Sequence, residues 1–349
     1  FRLQNYKIFC NFANLFEKMQ PNMFNFSPIL AKFVGKYDQI LVIESKALQP
    51  IGVCDYPTLW LEDGEENKCL TQVEKIWDFL LAQNATRQSL LVNVGGGTIT
   101  DMGGFAAATY KRGIACVHIP TTILSMVDAS WGGKTGFDYG EIKNSVGVFH
   151  QPVETIVDTR WLSSLPLEQV LCGYAEMLKH GLIADKTYWK ALLNYDPSRE
   201  PNNETMRQLI EQSIGIKQLI VSQDPTEQGP RQALNYGHTI GHALELTPIN
   251  HGYAVLYGMI AESYISHVLL GLDKEVVTQL VHLMNTYYGK PQCDCKQADA
   301  LIERMHQDKK NTDKQNLRFT LLKAIGQPVW GQVVDERLVR ESLDYLFSV

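Results

Sequence analysis

Hydrophobic and polar positions follow two different patterns along this chain. In the first half, short apolar runs rich in β-branched residues are bounded by polar or turn residues, which is typical of buried strands. Three such runs cover residues 39–44 (QILVIE), 89–94 (SLLVNV) and 115–120 (ACVHIP). Between the first two, residues 69–86 carry apolar side chains at helical spacing. This strand–helix–strand order predicts a parallel sheet.

From about Trp161 onward, longer stretches with apolar residues at helical spacing replace the strand-like runs. They end at Gly or Pro, as helices often do. They cover residues 166–185, 203–224, 231–252, 252–272 and 274–289. We therefore predict an α/β fold with a Rossmann-like parallel-sheet domain over residues 1–160 and a mostly α-helical domain over 161–349. The cleft between the two domains is the expected ligand site.

Composition narrows the class of protein. The 349 residues are 45 % hydrophobic and 20 % charged, which is ordinary for a globular protein. No uninterrupted apolar run approaches the ~20 residues that span a bilayer, so no membrane partner is expected. A formal net charge of −6 gives no basic footprint for nucleic acid. Without a signal-like stretch near Phe1, a cytoplasmic location is expected.

The seven cysteines are scattered and odd in number, so a disulfide framework is not predicted. Cys293 and Cys295 form a C-x-C pair that could ligate a structural zinc ion. Two thiolates without a second Cys or His pair nearby are more often incidental, which is the favoured interpretation.

A glycine cluster follows the second predicted strand. Gly95, Gly96 and Gly97 stand where a strand turns into a helix, and backbone N–H groups at such a turn can approach a phosphate closely. The G-x-G-x-x-G pattern of dinucleotide sites fails at its third position, which is Thr100. The residues alone fit a nucleotide site and a plain tight turn about equally well.

A polar and glycine-rich segment, residues 120–144, follows the third predicted strand. Loops at the carboxyl ends of parallel strands are where ligands bind, and lysines there suit phosphate or carboxylate groups. We interpret the segment as a ligand-binding loop, with an ordinary solvated loop as the alternative for any single lysine. Its candidate residues are Thr121, Thr122, Asp128, Lys134, Lys143 and Asn144.

Three of the nine histidines lie between Arg231 and Gly252. His238 and His242 are four residues apart, so on a helix both imidazoles point to one side. A zinc protease of the H-E-x-x-H type carries a glutamate base directly after the first histidine, and here that position is Thr239. A metal bound here would lack the base that hydrolysis needs.

Several motifs occur in a fixed order from about residue 40 to 326. They are GGGTITDMGGFAAATYKRG, PTTILSMVDASWGGKTG, KNSVGVFHQP, GYAEMLKHG, RQALNYGHTIGHA, HG at 251–252 and DKKNT at 308–312. Together they resemble the 3-dehydroquinate synthase family of sugar-phosphate cyclases. The resemblance implies a lyase that converts 3-deoxy-D-arabino-heptulosonate 7-phosphate to 3-dehydroquinate and phosphate, with transient oxidation by NAD, phosphate elimination, reduction and aldol closure.

The resemblance implies a metal site made by Glu176, His238 and His251. Two imidazoles and a carboxylate are a common catalytic zinc set that leaves one position open for substrate. Zinc is the expected ion, with cobalt as the alternative. From the residues alone, Glu176 could instead pair with His180 one helical turn later. We prefer His251, because the turn at 248–250 lets it fold back toward His238.

The resemblance also implies a pocket for an anionic substrate. Cations would neutralise its phosphate and carboxylate locally, and the planar fork of Arg231 suits the carboxylate best. Arg112 is expected to reach the active site of a second subunit, which implies a homodimer. The other expected pocket residues are Asp128, Lys134, Asn144, Lys179, Lys217, Asn235, His242 and Lys309 or Lys310.

NAD contacts are expected in the first domain. Glu44, at the end of a predicted strand, is positioned as the acidic residue that binds the adenosine ribose in dinucleotide folds. By resemblance, the remaining contacts are Glu65, Lys68, Gly95, Gly96, Gly97, Asp101, Thr121, Thr122, Lys143 and Ser164.

Three positions depart from the family pattern. Thr100 replaces a turn glycine, Ile142 stands where glycine is frequent, and Gln169 replaces a glutamate that often contacts the cofactor. None removes a predicted ligand or cation, so activity is expected to survive, while the geometry of the pyrophosphate turn is expected to differ.

Three other functions fit part of these residues. A cyclase that makes another carbocycle would use the same NAD and zinc residues, but Lys217 and Arg231 suit a substrate carboxylate. A polyol dehydrogenase that releases NADH would leave the phosphate-suited cations idle. A catalytically inactive NAD-binding module is disfavoured because the expected metal ligands and lysines are all present.

Overall fold

The computed structural model describes residues 24–49, 52–140, 142–245, 249–292, 297–307 and 316–349. They belong to two compact units, which divide between Leu165 and Pro166. Trp161 belongs to the first unit, where its ring packs edge-on against Phe26 with ring centroids 5.6 Å apart. The cofactor and substrate roles assigned to the two domains stay predictions. The DKKNT motif with Lys309 and Lys310, and the Cys293–Cys295 pair, lie outside the described residues.

The first unit is built on a parallel sheet. Its described strands are β1 (Phe24–Asn25), β2 (Ile40–Ser45), β3 (Gly52–Val53), β4 (Thr58–Leu61), β5 (Leu90–Gly95), β6 (Ala115–Pro120), β7 (Lys134–Tyr139), β8 (Ile142–Phe149) and β9 (Glu154–Thr155). Within the described residues, one five-stranded sheet has the order β4-β2-β5-β6-β9, with every neighbouring pair parallel. Counted along the chain, this is the 2-1-3-4-5 order of doubly wound folds, whose switch point lies between β2 and β5. The three predicted strands correspond to β2, β5 and β6, so the predicted parallel sheet is confirmed.

Helices connect some of these strands along the chain. They are α1 (Ser27–Leu30), α2 (Leu70–Ala82) and α3 (Gly97–Thr109). On α2, the side chains of Val73, Ile76 and Leu80 are fully buried, as the helical spacing of apolar residues predicts. On α3, a Cβ on Gly103 would lie 2.3 Å from the side-chain oxygen of Asn93 in β5. Glycine at this position therefore lets the helix lie directly on the sheet.

The segment 120–144 is not one polar loop, and that prediction is wrong for its second part. β7 and β8 form an antiparallel hairpin in which Lys134 pairs with Phe149 and Tyr139 pairs with Ile142. The sequence pattern did not predict this hairpin, because its strands contain glycines and glycine normally weakens a strand. Here Gly147 allows close backbone approach: a Cβ on it would lie 2.4 Å from the carbonyl oxygen of Thr135.

The second unit is mostly helical, as predicted. Its described helices are α4 (Leu167–Ala184), α5 (Lys186–Leu193), α6 (Glu204–Gln223), α7 (His238–Glu245), α8 (His251–Leu270), α9 (Lys274–Leu283), α10 (Ala298–Gln307) and α11 (Glu336–Ser348). An antiparallel hairpin of β10 (Leu317–Ala324) and β11 (Gln327–Val334) was not predicted. Its β10 strand packs on α8, where Leu322 N–H donates to the hydroxyl of Ser266 at 3.0 Å.

Helix α8 is the core helix of the second unit. Every residue from Ala254 to Ser263 is buried. By length and composition alone α8 could cross a membrane, but 67 % of its most apolar window is buried inside the fold. A helix that is apolar on all sides is expected where other elements of the fold surround it. α8 is such a helix.

Candidate active site

Three helices of the second unit bring the predicted metal ligands together. Glu176 lies in the middle of α4, while His238 and His251 are the first residues of α7 and α8. The Nε2 atom of His251 lies 3.1 Å from Glu176 Oε1, and that of His238 lies 3.5 Å from the same oxygen. One ligand atom from each residue lies within 4.8 Å of the other two. This donor set matches the two imidazoles and one carboxylate of a catalytic zinc site.

In both His238 and His251, the second ring nitrogen is hydrogen-bonded to an oxygen. His238 Nδ1 lies 3.2 Å from the carbonyl oxygen of Tyr236, and His251 Nδ1 lies 2.6 Å from Glu245 Oε1. Donation from Nδ1 leaves Nε2 directed at the shared site, which is the arrangement of metal-bound histidines. The residues present therefore fit a divalent metal ion.

The electrostatics of the site favour a positive charge. Burial alone would lower the pKa of His251, but the carboxylates of Glu245 and Glu176 outweigh it and raise the pKa to about 10. Glu176 itself is fully buried and forms an ion pair with Lys179. A buried carboxylate is costly unless it is paired or binds a metal. The site therefore favours a cation, whether proton or metal, beside Glu176.

His180, the alternative partner for Glu176 on the same helix, forms a hydrogen bond elsewhere. A ligand atom of His180 also comes within 4.8 Å of one from Glu176. However, its Nδ1 atom lies 2.7 Å from the hydroxyl of Ser213 on α6. His238 and His251 instead both direct Nε2 at Glu176, so the geometry favours them.

Glycines allow the three helices to approach closely. A Cβ on Gly252 would lie 2.3 Å from Cys172 Cα, one turn before Glu176 on α4. A Cβ on Gly258 would lie 1.9 Å from the carbonyl oxygen of Gly237, next to His238. A side chain at either position would collide with backbone, so α8 contacts both neighbouring ligand-bearing segments only because it carries glycine there.

The predicted substrate residues of the second unit lie around this cluster to different degrees. Lys179 is directly beside Glu176, and the ring centroid of His242 lies 5.2 Å from that of His238. Lys217 is buried on the neighbouring helix α6, and its place in the substrate pocket stays a prediction.

Arg231 and Asn235 lie on a short 3-10 segment, Pro230–Asn235, that leads into His238. The Arg231 side chain is buried, and its Nη1 donates to the carbonyl oxygen of Pro225 at 2.6 Å. The amide of Asn235 donates to Glu227 Oε1 at 2.8 Å. Both polar side chains are therefore held in defined orientations.

In the first unit, the glycine cluster forms the turn from β5 into α3. A Cβ on Gly96 would approach the side chain of Thr122 to 3.4 Å, and one on Gly97 would approach Ala129 to 3.3 Å. The Thr100 hydroxyl donates to the carbonyl oxygen of Gly97 at 3.1 Å. The Thr100 departure is therefore accommodated within the turn, and Thr121 and Thr122 lie next to it at the end of β6.

A second group of predicted cofactor residues surrounds Lys68. Its Nζ atom lies 2.7 Å from Asp101 Oδ2 and 2.6 Å from Asn144 Oδ1. Lys143 Nζ lies 4.0 Å from Glu65 Oε1, and a cavity of about 350 Å³ is lined by Glu65, Lys68 and Lys143 among others. Asn144, predicted to contact substrate, thus lies in the group around Lys68.

The hairpin separates Lys134 from that group. Lys134 begins β7, whereas Lys143 and Asn144 lie near the start of β8, and the register pairs Lys134 with the far end of β8. The prediction that these three side chains share one loop is therefore wrong. Asp128 and Ser164 lie on short helical turns, Ser125–Ala129 and Thr159–Ser164.

Glu44 occupies the carboxyl end of β2, at the switch point of the sheet. Its side chain is only 2 % exposed, and among the described residues its Oε1 has no hydrogen-bond partner. Burial raises the pKa of Glu44 to about 7. A buried carboxyl in this position is suited to bind the hydroxyl groups of a ligand.

Glu245 is a site residue that the sequence pattern did not lead us to predict. It lies seven residues after His238 on α7, and positions i and i+7 share a helix face. That spacing is the signal that could have found it. No side-chain pattern could have found Tyr236, which contributes a backbone carbonyl to His238.

Solved structures with similar architecture define the class of protein. A 2-deoxy-scyllo-inosose synthase structure, complexed with carbaglucose-6-phosphate, NAD+ and Co²⁺, is 26 % identical, has a TM-score of 0.79 and covers 93 % of this chain and 96 % of its own. The 2-epi-5-epi-valiolone synthase of Streptomyces hygroscopicus, with NAD+ and Zn²⁺ bound, has a TM-score of 0.81 at 21 % identity, covers 99 % of each chain and shows the fold alone. The class is that of two-domain enzymes with the cyclase fold.

Sequence comparisons then give the family. Residues 58–172 match the 3-dehydroquinate synthase N-terminal model and residues 173–311 match the C-terminal model. A 3-dehydroquinate synthase of Parabacteroides distasonis is 44 % identical over 295 residues, 83 % of each chain. One of Dehalococcoides mccartyi is 41 % identical over 276 residues, 78 % of this chain and 76 % of its own. This chain belongs to the 3-dehydroquinate synthase family.

The contact at Gly252 can be tested by adding one methyl group. We expect Gly252→Ala to destabilise the fold by about 2–3 kcal/mol through overpacking and to weaken divalent-metal binding, because α8 must move away from α4. Thermal unfolding and a chelator-competition assay measure the two effects. Gly215→Ala, on α6 with open space at the Cβ position, should instead be neutral or stabilising by about 0.5–1 kcal/mol. Equal stability in the two variants would refute the close contact.

The hydrogen bond from His251 to Glu245 can be tested by neutralising the acceptor. Outer-shell partners of metal-bound histidines typically change metal affinity by about 10–100-fold, so we expect Glu245→Gln to raise the Zn²⁺ Kd by that factor. Glu211→Gln applies the same change to a partly exposed ion pair with Arg207 on α6 and should leave the Kd unchanged. Equal Kd values for both variants would show that Glu245 does not orient a metal ligand.

The raised pKa of Glu44 predicts a pH dependence of stability. Because the folded state holds this proton more tightly than the unfolded state, its contribution is fully present below about pH 4.5 and is lost as pH rises through about 7. The loss is roughly 3 kcal/mol at most. We expect Glu44→Gln to become more stable relative to the wild type across this window in thermal unfolding, whereas Glu62→Gln, at an exposed position, should not. Parallel curves for wild type and Glu44→Gln would contradict the effect of burial.

Proposed function

We propose that this chain converts 3-deoxy-D-arabino-heptulosonate 7-phosphate to 3-dehydroquinate and phosphate in the shikimate pathway, which leads to chorismate and the aromatic amino acids. The proposal rests on the observation that Glu176, His238 and His251 lie close together in a chain of the 3-dehydroquinate synthase family. The substrate undergoes transient oxidation, elimination of phosphate, reduction, ring opening and intramolecular aldol closure. The enzyme is therefore a carbocycle-forming lyase.

The proposed cofactors are NAD and one divalent metal ion, zinc or cobalt. Support comes from the 2-deoxy-scyllo-inosose synthase structure with NAD+ and Co²⁺ and from the fit of the donor set to such an ion or to zinc. When bound, NAD supplies a reversible hydride acceptor and the metal polarises a substrate hydroxyl. Glu176, His238 and His251 would hold the metal. Gly95–Gly97, Glu44 and the group around Lys68 would bind NAD.

The anionic substrate needs positive charge in the pocket. Lys179 lies beside Glu176 and would place its ammonium next to substrate oxygens at the metal. Arg231, oriented by the carbonyl of Pro225, would bind the carboxylate with its planar fork. Lys217 and Lys134 would bind phosphate or carboxylate oxygens as point charges.

Further polar groups would complete the pocket. His242, one turn after His238, would exchange a proton with the substrate. Asn235, held by Glu227, would donate a hydrogen bond in a fixed direction. Asp128 and Asn144 would orient substrate hydroxyl groups, and Lys309 or Lys310 would add a further cation.

We further propose a cytoplasmic homodimer in which Arg112 reaches the active site of the second subunit. Arg112 and Lys111 are exposed non-glycine residues with φ of 67° and 48°. Each such conformation costs on the order of 1–3 kcal/mol and is most common where function requires it. The strained turn therefore supports a role for Arg112 beyond its own fold.

The proposed activity predicts phosphate release without net NADH. We expect purified protein supplied with NAD, Zn²⁺ and the heptulosonate phosphate to release phosphate while absorbance at the NADH band stays at baseline after turnover. His251→Ala should lower the rate at least ~100-fold through loss of a metal ligand, whereas His267→Ala, on the exposed side of the same helix, should not. Accumulation of NADH would contradict the proposal and indicate a dehydrogenase.

A further inference from the structure

Glu262 is a buried acidic residue that has no part in the proposed reaction. It lies on α8 among core residues and is 0 % exposed. Its Oε2 accepts a hydrogen bond from the Gly237 N–H at 2.7 Å, and its Oε1 accepts one from the Ile240 N–H at 3.2 Å. Because both oxygens accept from backbone donors, the side chain has the hydrogen-bonding pattern of an ionised carboxylate.

The Gly237 N–H lies directly before α7, which begins at His238, and the Ile240 N–H lies in its first turn. The N-terminus of a helix carries the equivalent of about half a positive charge and favours anions. A metal cation on His238 would therefore be opposed by the helix to which His238 belongs. The carboxylate of Glu262 takes up two of the N–H groups and places a negative charge at this helix end.

The same turn of α8 also contacts Tyr236, the residue whose carbonyl orients His238. The Tyr236 hydroxyl is hydrogen-bonded to the hydroxyl of Ser263, the neighbour of Glu262. The carbonyl of Tyr236 in turn accepts from His238 Nδ1. Contacts from this turn thus fix the backbone on both sides of His238, while Glu262 alone among them supplies a negative charge.

We propose that Glu262 is a positioning residue for the metal site. It fixes the backbone turn that carries His238 and offsets the helix-end charge that would oppose a cation there. This inference rests on the proposed metal site of Glu176, His238 and His251. The alternative is a helix cap that stabilises the fold and has no effect on metal affinity, as side-chain caps in general do.

The test separates charge from packing with two variants of the full chain. Glu262→Gln keeps the shape of the side chain but removes its charge and one of its two acceptor oxygens, and Ser263→Ala removes a hydrogen-bond partner of Tyr236 without changing charge. Co²⁺ is added to protein freed of metal by chelator. The Co²⁺ Kd is measured by competition, its visible absorption spectrum reports the ligand geometry, and thermal unfolding of the metal-free protein reports the fold.

We expect Glu262→Gln to raise the Co²⁺ Kd at least ~10-fold, as loss of an outer-shell partner does, and to alter the Co²⁺ spectrum. Ser263→Ala should lower the unfolding temperature and raise the Kd much less than Glu262→Gln does, because it leaves the negative charge in place. If Glu262→Gln does not fold, Glu262→Asp takes its place, since its shorter side chain draws the carboxylate away from the two N–H groups. A smaller weakening in the same direction is then expected.

Unchanged Co²⁺ affinity in the folded Glu262 variant would overturn the proposal and leave a structural cap. An equal loss of affinity in Ser263→Ala would overturn it too, because packing rather than charge would then control the site. A wild-type chain that binds no Co²⁺ would overturn both the metal site and the role of Glu262. Loss of turnover alone with normal Co²⁺ binding in the wild type would contradict only the proposed reaction.

Discussion

The backbone contact between α8 and α4 at Gly252 is the constraint on which the rest of the site depends. With no side chain at this position, the start of α8 lies against Cys172, and His251 comes within 3.1 Å of Glu176. A second glycine contact, of Gly258 against Gly237, brings α7 and His238 to the same place. The ligands come from three separate parts of the sequence, so their convergence is a consequence of helix packing rather than of any local motif.

This packing also buries charged side chains, and the same helices supply the groups that pair with them. Glu176, Lys179 and Glu262 are all buried, and charges removed from water destabilise a fold unless they are paired. Glu176 is paired with Lys179 and two imidazoles, and Glu262 with two backbone N–H groups. The result is an interior that is apolar over most of α8 yet favours a cation at one end of that helix.

Elements with strong periodicity could be predicted from the sequence. The strand at 115–120 has the predicted bounds, and α4 lies within the predicted 166–185. The three metal-ligand candidates, which the family resemblance implied, also come together. The β7–β8 hairpin could not be predicted, because its glycines are explained only by the partner strand. Glu262 could not be predicted as a capping residue either, since its donors lie about two dozen residues away in sequence and meet it only after α7 packs on α8.

Anomalous X-ray scattering from crystals soaked in Zn²⁺ or Co²⁺ tests the proposed metal site most directly. We expect one strong peak per chain, at about 2.0–2.2 Å from Glu176, His238 Nε2 and His251 Nε2, with Nδ1 of His251 still bonded to Glu245. A metal peak elsewhere, or one bound through His180 in place of His238 and His251, would contradict the convergence of the three helices on a single metal ion.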